Sequence, residues 1–359
     1  MSLSQDPMQE NLARACEAHE AWWAGSSLGR PAVICQLPKP DAGPPPEDDR
    51  PRGEAEADPR YHLRMMHWWI ENHLFLAETI PGVSVRYGSN LVIPAALVGA
   101  KLEFRPETTW MQPMPNILDR PLPARAGDHP LLAFHRDCLR LLAERLDDRA
   151  VLSPPGLLDG LTTLSMLREA ETLCMDLIER PGDVLRVSTE LNERAIEAHQ
   201  ALWRTLTEVD GAQSVAWTDI YAPGRCEMVQ CDFAMMLSPA MFEQFVVPYL
   251  RRMGEYMDYC CYHLDGTGQI RHAEHIFSVP AVKAIQWNPE PPAPPPLEWL
   301  DFFREVRRRG RSLWVASDVD TCVGLTRELG PDGLMLWLKG VETVEQLRRA
   351  LERIERAVD

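Results

Sequence analysis

Residues 259–287 read YCCYHLDGTGQIRHAEHIFSVPAVKAIQW. An apolar run of strand composition ends in His263 and Asp265, meets Gly266 and Gly268, crosses a polar stretch and returns as a second apolar run ending at Gln286 and Trp287. Short apolar runs bounded by turn residues and joined by longer amphipathic stretches are the pattern of parallel strands linked by crossover helices. Residues two apart on a strand share a face, so His263 and Asp265 point the same way from its end. The two glycines permit a tight turn and leave backbone N–H groups of the following helix open to a ligand, an anion by preference.

The same pattern extends in both directions. Strand candidates are PAVICQL (31–37), VSVRY (83–87), AVLSP (150–154), SVAWTDIYA (214–222), YCCYHLD (259–265), AVKAIQW (281–287), SLWVASDVD (312–320) and GLMLWLKG (333–340). Residues 170–208 read as two helices broken at Pro181, residues 343–358 as a closing helix of 3.6 period, and HWWIENHLF (67–75) as a packed amphipathic helix. Residues 1–30 form an N-terminal helical segment, and the Pro-rich, acidic stretch 38–60 reads as a mobile surface loop inside one domain spanning 1–359. The second proline cluster, NPEPPAPPPLEWL (288–300), is expected to be an extended connection and a candidate lid. Eight strands with intervening helices suggest a (β/α)8 TIM barrel or a doubly wound sheet, and no GxGxxG follows the first strand to favour dinucleotide binding.

Composition narrows the function. With 53 acidic against 37 basic side chains, the net charge of −16 repels phosphate backbones and anionic lipid surfaces, so neither nucleic acid nor a membrane is an expected partner. The N-terminal stretch has acidic residues where a signal peptide needs an apolar core, and no run is long enough to span a bilayer, which points to the cytoplasm. Nine cysteines without a CxxC pair read as reduced thiols.

The segments CDFAMMLSPAMFEQFVVPYLRRM (231–253), YHLDGTGQIRHAEHIFSVPAVKAIQW (262–287), WVASDVD (314–320) and GLMLWLKGVETVEQLRRALERI (333–354) together resemble the uroporphyrinogen decarboxylase superfamily, which holds the decarboxylase and corrinoid-linked methyltransferases. The resemblance implies a (β/α)8 barrel with a cleft at the C-terminal ends of its strands, where His263, Asp265, Trp287, Asp318 and Asp320 would converge. The decarboxylase signatures are missing: CQLPKP follows the first strand, Asn90 stands near the place of the pyrrole-binding aspartate, and the last strand runs into WLKGV. The methyltransferase branch binds zinc through a His-x-Cys pair and a later Cys. Here His263 matches the histidine, Asp265 replaces the first cysteine and Val341 stands near the second.

The resulting expectations are specific. His263, Asp265 and Asp318 are the candidate catalytic groups, with His263 as acid or base and Asp265 setting its tautomer. Alternatively, Asp265 only orients the ring or caps the next helix, or the pair holds a divalent metal such as zinc with a third ligand from Asp318, Asp320 or Cys322. Gln230, Asp232, Tyr262, Gly266, Gln286, Trp287, Asp320 and Lys339 are the candidate substrate contacts. The implied function is methyl transfer on a small molecule, with a corrinoid or corrinoid protein as partner and a homodimer left open. Tetrapyrrole decarboxylation and a non-catalytic ligand-binding barrel are the alternatives.

Overall fold

In this computed structural model residues 7–358 are described, except 86, 89–91, 106–107, 124–128 and 147–148, and residues 7–11 by their backbone alone. Asn90 therefore lies outside the described residues. Seven strands pair in the order His73–Ala77, Ala32–Pro38, Leu334–Lys339, Ser312–Asp318, Val282–Asn288, Tyr259–Asp265 and Cys226–Val229. All neighbours are parallel except the edge strand His73–Ala77, which runs antiparallel to Ala32–Pro38.

Strand alternation divides the sheet into two chemically distinct faces. On one face Ile34, Met335, Trp314, Ala284, Cys261 and Met228 cluster with Ala18, Trp22 and Trp23 of the N-terminal helix Pro7–Trp23. On the other, Val33, Leu336, Val315, Ile285, Tyr262 and Val229 pack under the crossover helices. The N-terminal helix closes the N-terminal ends of the strands. Trp22 Nε1 donates to the carbonyl of Leu313 at 3.1 Å, Ser312 Oγ donates to the carbonyl of Trp22, and Trp23 Nε1 donates to the carbonyl of Tyr221 at 2.8 Å. What remains open on that inner face lies toward the C-terminal strand ends.

Several sequence expectations need correction. The hydrogen-bonded ladder is open, not the closed eight-stranded cylinder: Gly82–Ser84 and Val151–Ser153 pair only with each other. They join the rest through side chains and loops, with Val215 N–H donating to Ser153 Oγ at 2.6 Å. The stretch 214–222 is not one strand but a hairpin, Ser214–Ala216 and Ile220–Ala222, turned at Asp219 with φ of 60°. The strand that actually joins the sheet, Cys226–Val229, is too short to stand out in sequence.

The 67–75 cluster also divides. Helix Pro59–Asn72 stops at Asn72, and His73–Ala77 continues as the antiparallel edge strand. Residues 38–60 are no free excursion: they contain helix Arg52–Glu56, and Trp68 Nε1 ties the stretch down through the carbonyl of Gly43 at 2.9 Å. Elsewhere the helices follow the sequence. Ala170–Glu179 and Pro181–Val209 meet at Pro181, and Val344–Glu355 begins with a capping box between Thr343 and Gln346. Among the described residues no helix is long and apolar enough to cross a membrane.

Candidate functional site

The end of strand Tyr259–Asp265 carries the side chains whose surroundings differ most from ordinary packing. His263 is buried, and the register pairs it with Gln286 and Asp265 with Asn288 on the next strand. These four therefore share the inner face. His263 Nδ1–H donates to Gln286 Oε1. With Gln286 Oε1 as acceptor, the neutral ring carries its proton on Nδ1 and has its lone pair on Nε2. Nε2 stands 3.7 Å from Asp265 Oδ1, beyond hydrogen-bond reach, and Asp265 Oδ1 instead accepts from Asn288 Nδ2 at 2.6 Å. Gln286, not Asp265, sets the tautomer, which corrects the sequence expectation.

Burial holds the His263 imidazole below its ordinary pKa, while the Gln286 hydrogen bond and the Asp265 charge oppose that pull. At neutral pH the ring is an uncharged base. If it acts as one, activity falls as pH drops through this depressed value, so the acid limb of a pH–rate profile lies below about 6.5. Gln286→Glu would accept the same Nδ1–H and add a negative charge, favouring the imidazolium. We expect its acid limb to move up by about one unit or more, read from the pH dependence of turnover.

Trp217 completes the surroundings of His263. Its ring meets the imidazole edge-on, with centroids 5.0 Å apart at 74°, and it is 41% exposed. It also lines a cleft of about 410 Å3 with His62, Met65, Met66, Trp68 and Trp69. Trp217 thus stands between the base and an aromatic and thioether-lined space of small-molecule size.

On the other flank, Gln230 directly follows Val229, whose register partner Tyr262 directly precedes His263. Gln230 is 7% exposed and its Oε1 has no hydrogen-bond partner. Asp232 Oδ1 is likewise buried without a partner. Burial, and then the charges of Asp159, Asp265 and Glu290, push its carboxyl up to about 7.

Other sequence candidates fall elsewhere. Tyr262 and Trp287 belong to the opposite face of the sheet. Tyr262 donates to Gln269 Oε1 at 2.8 Å, and Trp287 packs against Trp299, Phe302 and Phe303. Strand parity explains this, since each is one residue from an inward neighbour. Asp318 caps helix Val319–Leu329, accepting from Thr321 N at 3.0 Å and Thr321 Oγ1 at 2.8 Å. The Thr321 backbone N–H holds its carboxyl below the usual range. Asp320 pairs with Arg353 at 2.6 Å across two helices. Lys339, paired in register with Asp318, is exposed. Gly266 has φ of +84°, the left-handed turn expected of it. A Cβ there would lie 3.7 Å from Glu290 Oε2, so the turn already faces a carboxylate and is a poor anion site.

The zinc expectation can be tested on the donor set. His263 and Asp265 make a two-donor pair, while Asp318 and Asp320 are engaged as above. Cys322 is buried, its thiol raised to about 12 by burial and donating to the Ser317 carbonyl at 3.6 Å. Among the described residues no three His, Cys, Asp or Glu side chains converge as a metal site. Zinc needs at least three protein ligands, so this set does not fit it.

Asn288, Glu290 and Trp217 were not singled out in the sequence. Asn288 follows Gln286 at the strand period of two and was legible in AIQWNPE; Trp217 was hidden by reading its hairpin as one strand.

No protein-family model matches this sequence, and no curated protein matches it. Among solved structures, the chain is similar in fold to a methyltransferase from Methanosarcina mazei, with a TM-score of 0.59 and 13% identity over 95% of this chain and 98% of that one. At that identity the likeness is one of fold: a mixed α/β chain organised on a parallel central sheet.

Proposed function

We propose that the protein is a methyltransferase-like enzyme of the uroporphyrinogen decarboxylase superfamily. In this reading it is a distorted α/β barrel that binds a small molecule at the C-terminal ends of its strands, with His263 as the general base. The observation that supports this reading is the neutral His263, bonded to Gln286 at Nδ1 and open at Nε2, with Trp217, which also lines a cleft, against its ring. A base of this kind removes the proton from an acceptor heteroatom as it attacks the methyl carbon of a methylated corrinoid, whose carbon–cobalt bond breaks with the electron pair left on the departing corrinoid, and the proton passes to Nε2, where Asp265 at 3.7 Å stabilises the new imidazolium. Gln286 retains the ring orientation throughout.

The fold shared with a methyltransferase supports the reaction class. The superfamily resemblance supplies the donor class, a methylated corrinoid presented as substrate. Tetrapyrrole decarboxylation finds less support: the Asp265 and Glu290 charges that act on Asp232 would repel a substrate of many carboxylates there.

The test is protein-dependent demethylation of methylcobalamin, followed in the visible spectrum with a panel of thiol and amine acceptors. Turnover above the buffer rate is expected. Failure with every acceptor, under conditions where the protein is folded, would overturn the reading.

A further inference from the structure

Two buried acceptor atoms just past the strand Cys226–Val229 lack donors. Gln230 Oε1 and Asp232 Oδ1 are buried with no partner, whereas Asp159 is held by Thr162 and the neutral Cys231 thiol. Both orphaned atoms are hydrogen-bond acceptors, and leaving such groups unpaired away from water is costly. The missing partner is therefore a donor.

The charges around Asp232 agree. Asp159 acts on it from the cap of helix Gly160–Arg168, Asp265 from the strand end and Glu290 from the proline-rich connection. The Cys231 thiol and Tyr262 phenol nearby are kept neutral by burial. Arg271, the basic group on the same turn, is turned to the carbonyls of Ala234 and Met235. A donor entering here meets carboxylates from three separate elements.

Gln230 calls for the same partner independently of the acids. It is an uncharged amide just past the end of strand Cys226–Val229, and its unpaired oxygen needs an N–H or O–H even if every carboxylate were protonated. A divalent cation is the other answer to such a cluster, but the described acids and histidines do not converge at metal-binding distances. The cleft of about 410 Å3 on the Trp217 side of His263, lined also by Met65, Met66, Trp68 and Trp69, offers apolar walls to whatever carries the donor.

We propose that the pocket binds a protonated amine with an apolar body, its ammonium N–H groups bonded to Gln230 and Asp232 and neutralised by Asp265 and Glu290. This rests on the pocket reading given under Proposed function and names its substrate class. Trp217, at the junction of cleft and base, lies against the apolar part next to the cation. Binding also draws the proton from Asp232, so affinity rises with pH through about 7.

Three related probes test it by titration calorimetry: benzylammonium, benzyltrimethylammonium and benzoate. We expect saturable benzylammonium binding at pH 8, at least tenfold tighter than benzyltrimethylammonium, which has no N–H to donate, with no binding of benzoate. Affinity should fall severalfold at pH 6. Asp232→Asn should weaken benzylammonium binding at least tenfold. Glu290→Gln, at an exposed position, should weaken it severalfold and serves as the test if Asp232→Asn does not fold.

Absence of benzylammonium binding, equal affinity for benzoate, indifference to both substitutions, or displacement of the amine by stoichiometric Mg2+ would each overturn the proposal. If benzylammonium fails to bind while methylcobalamin is still demethylated with a thiol, the amine assignment falls and methyl transfer stands. If benzylammonium binds and no acceptor demethylates methylcobalamin, the amine site stands and methyl transfer falls.

Discussion

His263→Ala is expected to lower methyl-transfer turnover by about 10²–10⁴-fold, the range over which a positioned general base contributes. The reason is geometric. Nε2 is the uncharged basic nitrogen beside the cleft, and no second imidazole shares its place: His62 lines the far part of the same cleft, but its Nε2 is bonded to the carbonyl of Glu56 at 2.8 Å. His263→Gln, which keeps polarity and bulk but cannot take a proton, should lose nearly as much. Added imidazole should restore part of the rate in His263→Ala and none in His263→Gln, because only the smaller residue leaves space. Unchanged circular dichroism would separate lost chemistry from lost fold. A variant that retains wild-type turnover would exclude His263 as the base.

The largest stability effect is expected at the other end of the sheet. Trp22 is 1% exposed, fills the inner face beneath Trp314 and Met335, and donates to the Leu313 carbonyl. Trp22→Ala removes that volume, leaves a cavity the rigid strands cannot close, and strands a buried carbonyl. A loss of about 3–5 kcal/mol follows, read by denaturant unfolding. Because the plug sits at the N-terminal ends and His263 at the C-terminal ends, the folded fraction of Trp22→Ala should still bind ligand. A change below about 1 kcal/mol would show that the N-terminal helix is not part of the core.

These two residues show how legible the chain was. Long apolar strands bounded by turn residues, such as YCCYHLD and SLWVASD, announced themselves, and so did helices punctuated by Pro181 or by the Thr343–Gln346 capping box. Strands of three or four residues did not. Cys226–Val229 is sheet because Tyr259–Asp265 lies beside it, and His73–Ala77 follows directly from a helix with no turn residue between them. Tertiary context decided both.

The site divides the same way. His263 and Asp265 were visible as polar residues ending an apolar run, and Gln286 at the matching place on the next strand. Parity misled at Tyr262 and Trp287, where being one residue off an inward position sends a side chain through the sheet. Asp318 looked like a second acid until its cap bonds to Thr321 were seen. The partnerless oxygens of Gln230 and Asp232 are a property of packing, and no sequence pattern encodes them.

The central claim is that His263 is a neutral base with Nδ1 protonated and Nε2 free. Nitrogen-15 NMR of histidine-labelled protein, with His263 assigned by comparison with His263→Gln, reads tautomer and titration together. The account predicts the Nδ1–H form at pH 7 and protonation of Nε2 only below about 6.5. An imidazolium at pH 7, or an Nε2–H tautomer, would contradict it and remove the base from the proposed reaction.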